Sequence, residues 1–581
     1  MPVRRQANGH FLPFPFPVSK LQFGNRPRII SSGCGCGCIW GHRLPVLCLG
    51  GTRASGLHAQ RVCNQLRQLI DRLTLAEDSG SATPLGAQAE MPMFLNERTS
   101  LETPSAVLTP VMRKPNLIVF LTDQQRADTI VGAASRTLHA PNLRKLAAES
   151  VIFERAYVTH PLCVPSRASL LTGMWPHQTG CTKNGVSLDP RFRTFAELIG
   201  DDSYHPAYMG KWQLGDEATQ QRGFRDWIST EGVSDYSRFL GSNGYTPDKP
   251  NGSFSERLIS QLPLDISKPR FLEGHACEFI EKHRFDPFVL FVSFVEPHSP
   301  YNGPLNLEHA LEDVELDATA VAPANDNLPL RYKLMREWQQ AEALLDRNRL
   351  PNLFFFGVTQ DEYRAMKQRY LGLITMVDRS IGRILSCLER AELLDKTTII
   401  HTSDHGDMLG AHHLFGKEVM FSEAVRVPYL VRLPGQRQSL RVVQPVSHID
   451  FLPTLLDLLG EPKPNQCAGH SLAPLLHGES MAPGNVFIEW SPNRFKVMKG
   501  TKLASRRKIK RAMNESTRAV ISPEGWKLCL RDQDLNELYN LEADPNETHN
   551  LYYQPDYRAI IEQGRRDILS WQRTTGDTLK L

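Results

Sequence analysis

The sequence predicts an α/β fold: a large mixed, mostly parallel sheet flanked by helices, followed by a smaller C-terminal antiparallel sheet and a helix. Three observations carry that reading. The apolar runs Leu117–Leu121, Phe288–Phe294 and Thr398–Thr402 are nearly continuous instead of alternating, as strands buried on both faces are. Each run ends on polar, ligand-type side chains: Thr122-Asp123, Glu296-Pro297-His298 and Ser403-Asp404-His405. Beyond residue 465 the texture changes to short apolar runs between turn residues. In open parallel sheets ligands sit outside the carboxyl ends of the strands, so a site belongs on that edge.

The elements follow in chain order. Residues 1–111 show no sustained helical or strand period, apart from one short helix expected over 61–77. Their nine basic residues before Asp71, with no acid among them, read as an organelle transit leader or as a start assigned too far upstream. Met112-Arg113-Lys114-Pro115, directly before the first strong strand, favours the second. Cys34, Cys36 and Cys38 have no partner ligands at zinc spacing, so no metal is assigned to them. Pro141–Ala148 reads as a helix with Leu143 and Leu146 inward. A long core-packing helix fits 361–394, with Met366, Tyr370, Leu373, Val377, Ile381, Ile384 and Leu388 at steps of three and four. Residues 303–360 carry few strand signals and look like an insertion. Asp450–Leu456 is a further helix. Four short strands are expected around 486–490, 518–521, 526–530 and 537–540, and a last helix over 555–574. Lys502–Arg511 reads as a solvated basic loop. The expected divisions are an extension (1–111), a catalytic α/β domain (112–464) and a C-terminal subdomain (465–581).

Composition narrows the function classes. The chain has 581 residues, 67 Lys+Arg and 63 Asp+Glu, a formal charge of +4 that is too small to imply a nucleic-acid partner. No window approaches 18 apolar residues, so no membrane span is expected. The N-terminus lacks a clean signal peptide, which favours the cytoplasm, or the periplasm or an organelle if the leader is a targeting segment. The six cysteines past residue 70 are widely spaced and read as free thiols in a reducing compartment.

The chemistry centres on Cys163-Val164-Pro165-Ser166-Arg167, followed by Leu170-Leu171-Thr172-Gly173. A Cys opens a helix here. Backbone N–H donors and the positive dipole end at that position favour an anion. Arg167, one turn on, offers a fork of donors to an oxyanion.

This segment resembles the signature of the type I sulfatases, in which Cys, Pro, Ser and Arg are followed by Leu-Thr-Gly. The resemblance runs from about Asn116 to Leu551. Asn116–Asp123 is similar to the family's opening strand, and Gly210-Lys211-Trp212 to its Gly-Lys-Trp-His-Leu-Gly motif, with Gln213 where His is usual. Pro297-His298-Ser299-Pro300 resembles its Pro-His-x-Pro. Thr402–Gly406 and Gly416-Lys417 resemble its second metal motif and following lysine, and Glu537–Glu547 its C-terminal motif. These features also fit the wider alkaline phosphatase superfamily, including phosphonate monoester hydrolases.

The resemblance implies that a separate maturation enzyme oxidises Cys163 to formylglycine, whose hydrate attacks the ester. It implies one divalent metal, Ca²⁺ first with Mn²⁺ or Mg²⁺ as alternatives, held by Asp123, Gln124, Cys163, Asp404 and His405. Gln124 stands where Asp is common, which removes one negative charge, and His405 stands where Asn is common. Arg167, Lys211 and Lys417 would clamp sulfate or phosphoryl oxygens. Losing one such donor costs about 3–4 kcal/mol in the transition state. His298 fits the general acid, and Asn184 and Gln213 fit substrate contacts. Gln213 cannot serve as a base near pH 7, which leaves sulfate against phosphonate open. The implied activity is hydrolysis of small-molecule sulfate monoesters. The alternatives are a phosphonate monoester or phosphodiester hydrolase with the same site, or a silent binding protein that kept the fold. Tyr301 and Trp212 fit either a pocket wall or the core. The natural substrate and a homo-oligomeric state are not legible.

Overall fold

A computed structural model describes residues 114–132, 134–199, 204–349, 359–493 and 496–581, all within one unit, Leu108–Leu581. The leader, with its 61–77 helix and its Cys34–Cys38 run, lies outside the described residues. The main sheet has eight strands: β1 (Asn116–Thr122), β2 (Val151–Phe153), β4 (His205–Gly210), β5 (Asp226–Ser229), β6 (Phe288–Ser293), β7 (Thr397–Ser403), β8 (Tyr429–Arg432) and β9 (Leu440–Val442). Their order is β5-β4-β6-β1-β7-β8-β2-β9. The pairs from β5 through β7 are parallel, while β8 runs antiparallel to both β7 and β2. The sheet is therefore mixed and mostly parallel. A two-stranded ribbon joins β3 (Ala156–Tyr157) to β10 (Val446–Ser447).

The continuous apolar runs have the expected cause. Every residue of β1, β6 and β7 is buried. Ile118, Phe120, Leu290, Val292 and Ile399 face helices α1 (Pro141–Ala148), α3 (Lys268–Lys282) and α5 (Gln360–Arg390). Leu117, Val119, Leu121, Val289, Phe291 and Ile400 face α2 (Cys163–Thr172) and α6 (Phe451–Leu458). Strands sandwiched between two helical layers have no polar face to alternate. A capping box starts α5: Thr359 Oγ1 accepts from Glu362 N–H, and Glu362 Oε2 accepts from Thr359 N–H. The seven stripe residues of this helix are all buried.

The C-terminal sheet is antiparallel, in the order β11 (Val486–Trp490), β12 (Thr517–Ile521), β13 (Trp526–Arg531), β14 (Glu537–Asn540). Helix α8 (Arg558–Thr575) packs on β12 and β13. Two expectations are corrected. Part of the basic stretch is not a loop but helix α7 (Arg506–Met513), started by Ser505, whose side chain accepts from Lys508 N–H. It buries Ala512 and lies beside α4 (Leu330–Arg349), inside the segment read as an insertion. The free-thiol reading also fails for two cysteines. Cys277 on α3 and Cys387 on α5 form a disulfide across 110 residues of sequence, with Cα atoms 5.8 Å apart. The packing of α3 on α5 brings them together. Cys163, Cys181, Cys467 and Cys529 are free and buried.

Candidate active site

The carboxyl ends of four parallel strands converge on the start of α2. Asp123 and Gln124 follow β1, Lys211 follows β4, His298 lies just past β6, and Asp404 and His405 follow β7. Helix α2 is buried along its whole length, so its first residue, Cys163, is held against the sheet edge. Gly210 is required by close approach: a Cβ there would lie 1.9 Å from the Ser293 carbonyl oxygen of β6. That contact lets β4 deliver Lys211 to the site.

Ligand atoms of Asp123, Cys163, Asp404 and His405 all lie within 4.8 Å of one another, and all four residues are buried. The Cys163 sulfur is 3.1 Å from His405 Nε2 and 3.9 Å from Asp123 Oδ1. His405 Nε2 stands 3.6 Å from both Asp123 Oδ1 and Asp404 Oδ1. Buried charges on this scale need partners, and they have them. Lys211 Nζ is 2.7 Å from Asp123 Oδ2. Arg167 donates from Nε to Asp404 at 2.8 Å, from Nη2 to Asp123 at 3.3 Å, and from Nη1 to the Lys211 carbonyl and Ser293 Oγ. Its fork thus fixes the two carboxylates and the backbone beside them. Burial alone raises the Asp123 carboxyl, but Lys211, His298, Lys417 and Arg167 outweigh it and hold it well below the usual carboxylate range. Burial and Asp123 oppose ionisation of the Cys163 thiol, yet Lys417, His405 and Lys211 leave it lowered.

Lys417 joins two other residues. Its Nζ donates to Gln124 Oε1 at 2.6 Å and lies 2.8 Å from His298 Nε2. His298 Nδ1 is 2.6 Å from the Ser299 carbonyl, so Nδ1 carries the hydrogen and Nε2 accepts from Lys417. Burial and the Lys417 charge hold His298 well below the usual histidine range. Gln124 and Gln213, two of the three departures from the resembled pattern, both take positive φ, 74° and 64°. Non-glycine residues there store on the order of 1–3 kcal/mol of strain.

The structure places four further residues named from the sequence. Asn184 is exposed, and its Oδ1 accepts from Val164 N–H at 3.1 Å, which caps α2 beside Cys163. Gln213 Oε1 is buried with no hydrogen-bond partner, while its backbone N–H is held by Glu217 at 2.6 Å. Trp212 is core, packed among Tyr208, Phe224 and Trp227. Tyr301 is buried, with its hydroxyl on Asp407.

Sequence reasoning missed Asp407. Its Oδ2 accepts from Gln124 Nε2 and the Tyr301 hydroxyl, and its Oδ1 from Leu409 N–H at 2.9 Å and Gly416 N–H at 3.1 Å. It therefore turns the Gln124 amide so that Oε1 faces Lys417. Its signal was a second carboxylate three residues after Asp404. A cavity of about 720 Å³ adjoins Asn184, walled by Lys183, Pro492, Asn493, Lys510, Met513 and Asn514.

The Sulfatase family profile matches residues 115–461. The profile described as N-sulphoglucosamine sulphohydrolase, C-terminal, matches 410–574. The multifunctional alkaline phosphatase superfamily protein PehA of Trinickia caryophylli is 28% identical over 476 residues, 76% of this chain and 90% of the relative. The choline-sulfatase of Rhizobium meliloti is 28% identical over 454 residues, 73% of this chain and 80% of that one. Among solved structures, the phosphonate monoester hydrolase of Agrobacterium radiobacter superposes with a TM-score of 0.64 at 25% identity, covering 79% of this chain and 96% of that one.

Proposed function

The chain belongs to the sulfatase family, and from that premise we propose that it hydrolyses sulfate monoesters with residue 163 as its nucleophile. The observation that carries this is the convergence of the Cys163 sulfur, two carboxylates and an imidazole inside a ring of Arg167, Lys211 and Lys417. The donor set suits a divalent metal: Asp123, Asp404, His405, residue 163 and the Gln124 amide oxygen would hold it, with Ca²⁺ preferred over Mn²⁺ or Mg²⁺. When bound, it supplies charge that activates a hydroxyl and holds substrate oxygens. Oxidised to formylglycine by a maturation enzyme, residue 163 supplies the two hydroxyls of an aldehyde hydrate, one to attack and one to expel the inorganic oxyanion.

The remaining roles fall to the chain's own side chains. Arg167 is a positioning residue, because its hydrogen bonds go to Asp123, Asp404, the Lys211 carbonyl and Ser293 Oγ. Lys211 and Lys417 face the oxyanion. The proton shared between Lys417 Nζ and His298 Nε2 is the one we assign to the leaving alcohol. Gln213 Oε1, an orphaned acceptor, is suited to a hydroxyl of the residue-163 hydrate or of the substrate. Lys183 and Lys510 beside the 720 Å³ cavity favour a polar, sulfated substrate such as a sugar. The division at residue 465 is likewise proposed: α6 ends before it and β11 begins after it.

Gln213 in place of His favours a second reading, hydrolysis of phosphonate monoesters or phosphodiesters by the same site. Parallel kinetics on p-nitrophenyl sulfate and a phenyl phosphonate ester decide between them. A higher kcat/KM for the phosphonate reverses the order. After co-expression with the maturation enzyme, the peptide containing residue 163 should lose about 18 Da, the loss of H₂S and gain of oxygen that covalent catalysis requires. Cys163→Ala should fold and be inactive. An unmodified thiol, or turnover by C163A, removes residue 163 from the reaction. Among the described residues no helix is long and apolar enough to cross a membrane. The cytoplasmic location expected from the sequence is tested by the Cys277–Cys387 pair, which a reducing compartment leaves as thiols. Peptide masses of protein alkylated at lysis read its state.

A further inference from the structure

Three side chains meet at the opposite edge of the main sheet. His205 opens β4, Asp226 opens β5, and His283 ends α3 just before β6. These are the amino ends of parallel strands, whereas the hydrolytic centre lies at their carboxyl ends. The six residues of β4 alone separate His205 from Lys211 by about 20 Å of extended chain.

The geometry is convergent. His205 Nε2 hydrogen-bonds Asp226 Oδ2, and His283 Nε2 stands 3.7 Å from the same oxygen. The two imidazoles stack with centroids 4.0 Å apart. One nitrogen from each ring and one carboxylate oxygen all lie within 4.8 Å of one another. An ordinary histidine–carboxylate pair explains His205 but leaves His283 unexplained. His283 is only 7% exposed, and its Nε2 is buried without a hydrogen-bond partner. Burying a polar nitrogen without a partner is costly, and this one points at the shared oxygen. Phe279 packs on the ring at 4.6 Å, and the exposed Asp286 carboxylate lies 4.0 Å from its Nδ1. Lys282 stands 3.4 Å from the other oxygen of Asp226, Oδ1, and leaves Oδ2 to the imidazoles. The side chains of His205 and Asp226 are 24% and 31% exposed, so a fourth position is open to water.

We propose that His205, Asp226 and His283 form a second divalent-metal site, separate from the hydrolytic centre and selective for a borderline ion of the Zn²⁺ class. Two imidazoles and one carboxylate with a water position make a tetrahedral Zn²⁺ set. Ca²⁺, which seeks six to eight oxygens, finds too few. The bound ion clamps β5 to β4 and to the end of α3. Among the described residues β5 is an edge strand paired only with β4, the part of the sheet most in need of such a tie.

The test uses the full chain, stripped with chelator and then titrated calorimetrically with Zn²⁺. Asp404→Ala weakens the competing hydrolytic centre, where Asp123, Cys163 and His405 remain together. D404A/H283Q should bind one equivalent of Zn²⁺ fewer than D404A. In the D404A background, Zn²⁺ should raise Tm, and adding H205N or H283Q should reduce that rise. kcat/KM on p-nitrophenyl sulfate at saturating Ca²⁺ should stay within about twofold in H205N and H283Q as single variants, since neither residue approaches the reacting atoms. Co²⁺ loaded in place of Zn²⁺ should give a tetrahedral visible spectrum that H283Q loses. Equal Zn²⁺ stoichiometry with and without His283, or no Zn²⁺ bound by a natively folded D404A, overturns the proposal. If D404A does not fold, the comparison of wild type with H283Q decides it: loss of one equivalent supports the site, and no loss overturns it.

Discussion

Asp407→Asn is the perturbation that most directly tests how the site is held. The substitution preserves shape and changes one acceptor oxygen into an NH₂ donor. In the native arrangement Asp407 accepts four hydrogen bonds, two on each oxygen. With the new amide turned one way, its NH₂ faces the Gln124 NH₂ and the Tyr301 hydroxyl. The hydroxyl rotates to accept, but Gln124 must flip, which turns its own NH₂ toward the Lys417 ammonium. Turned the other way, the NH₂ of Asn faces the N–H groups of Leu409 and Gly416, and neither can adapt. No orientation satisfies the set. Each buried mismatch costs about 1–3 kcal/mol. One to two mismatches therefore predict a loss of roughly 3 kcal/mol, about a hundredfold in an equilibrium or a rate.

Where that loss appears depends on the orientation chosen. A flipped Gln124 weakens metal binding and kcat/KM, whereas broken backbone bonds lower Tm and loosen the 404–417 loop. Measuring kcat/KM, metal affinity and Tm on D407N captures both. Tyr301→Phe is the control, because it removes the hydroxyl's bond to Asp407 and the one it accepts from Gln124 Nε2 but leaves the carboxylate, and it should cost about 2 kcal/mol. D407N with kcat/KM within twofold of wild type and an unchanged Tm would show that Asp407 does not orient Gln124.

Three further outcomes are expected. Arg167→Lys should lower unfolding free energy by about 3–5 kcal/mol and cut kcat/KM at least a hundredfold, because a lysine cannot bond both carboxylates of a buried cluster; denaturant midpoints and kinetics check it. Chelation should abolish turnover, and separate addition of Ca²⁺, Mn²⁺ and Mg²⁺ should restore it to different extents that rank the ions, while D404A stays inactive in all three. Burial pushes His401 and His448 down to about 3, so between pH 6.5 and 3 the unfolded chain binds more protons than the folded one. Stability should therefore fall with acid in that window, by about 2 kcal/mol per histidine at pH 5, and His401→Leu should flatten the slope in pH-dependent unfolding.

The parts legible in the sequence were those fixed by local pattern. Asn116–Thr122 declares itself because every residue must be apolar or small when helices cover both faces. Gln360–Arg390 declares itself through its stripe and its Thr359–Glu362 cap. Cys163, Asp123, Asp404 and His405 were legible because each stands at an element boundary inside a motif, and Arg167 because it lies one turn into the helix that Cys163 opens. The basic run 502–511 misled because charge outweighed a weaker helical signal: Ser505 in the cap position, with Ile509 and Ala512 three apart on one face.

What the sequence could not show is whatever depends on two distant segments meeting. Asp407 acquires its role only when the loop after β7 folds back on Gln124, 283 residues away. Cys277 and Cys387 look as isolated as Cys181 and Cys467 until α3 lies on α5. His205, Asp226 and His283 match no ligand spacing, because each belongs to a different element and only the parallel pairing of β4, β5 and β6 aligns their amino ends. The same rule holds for Arg167. Its position in the sequence suggested an oxyanion contact, and only the fold shows that its buried fork also meets two carboxylates delivered by β1 and β7. Local pattern thus names the residues of the candidate site. The sheet order decides which of them meet.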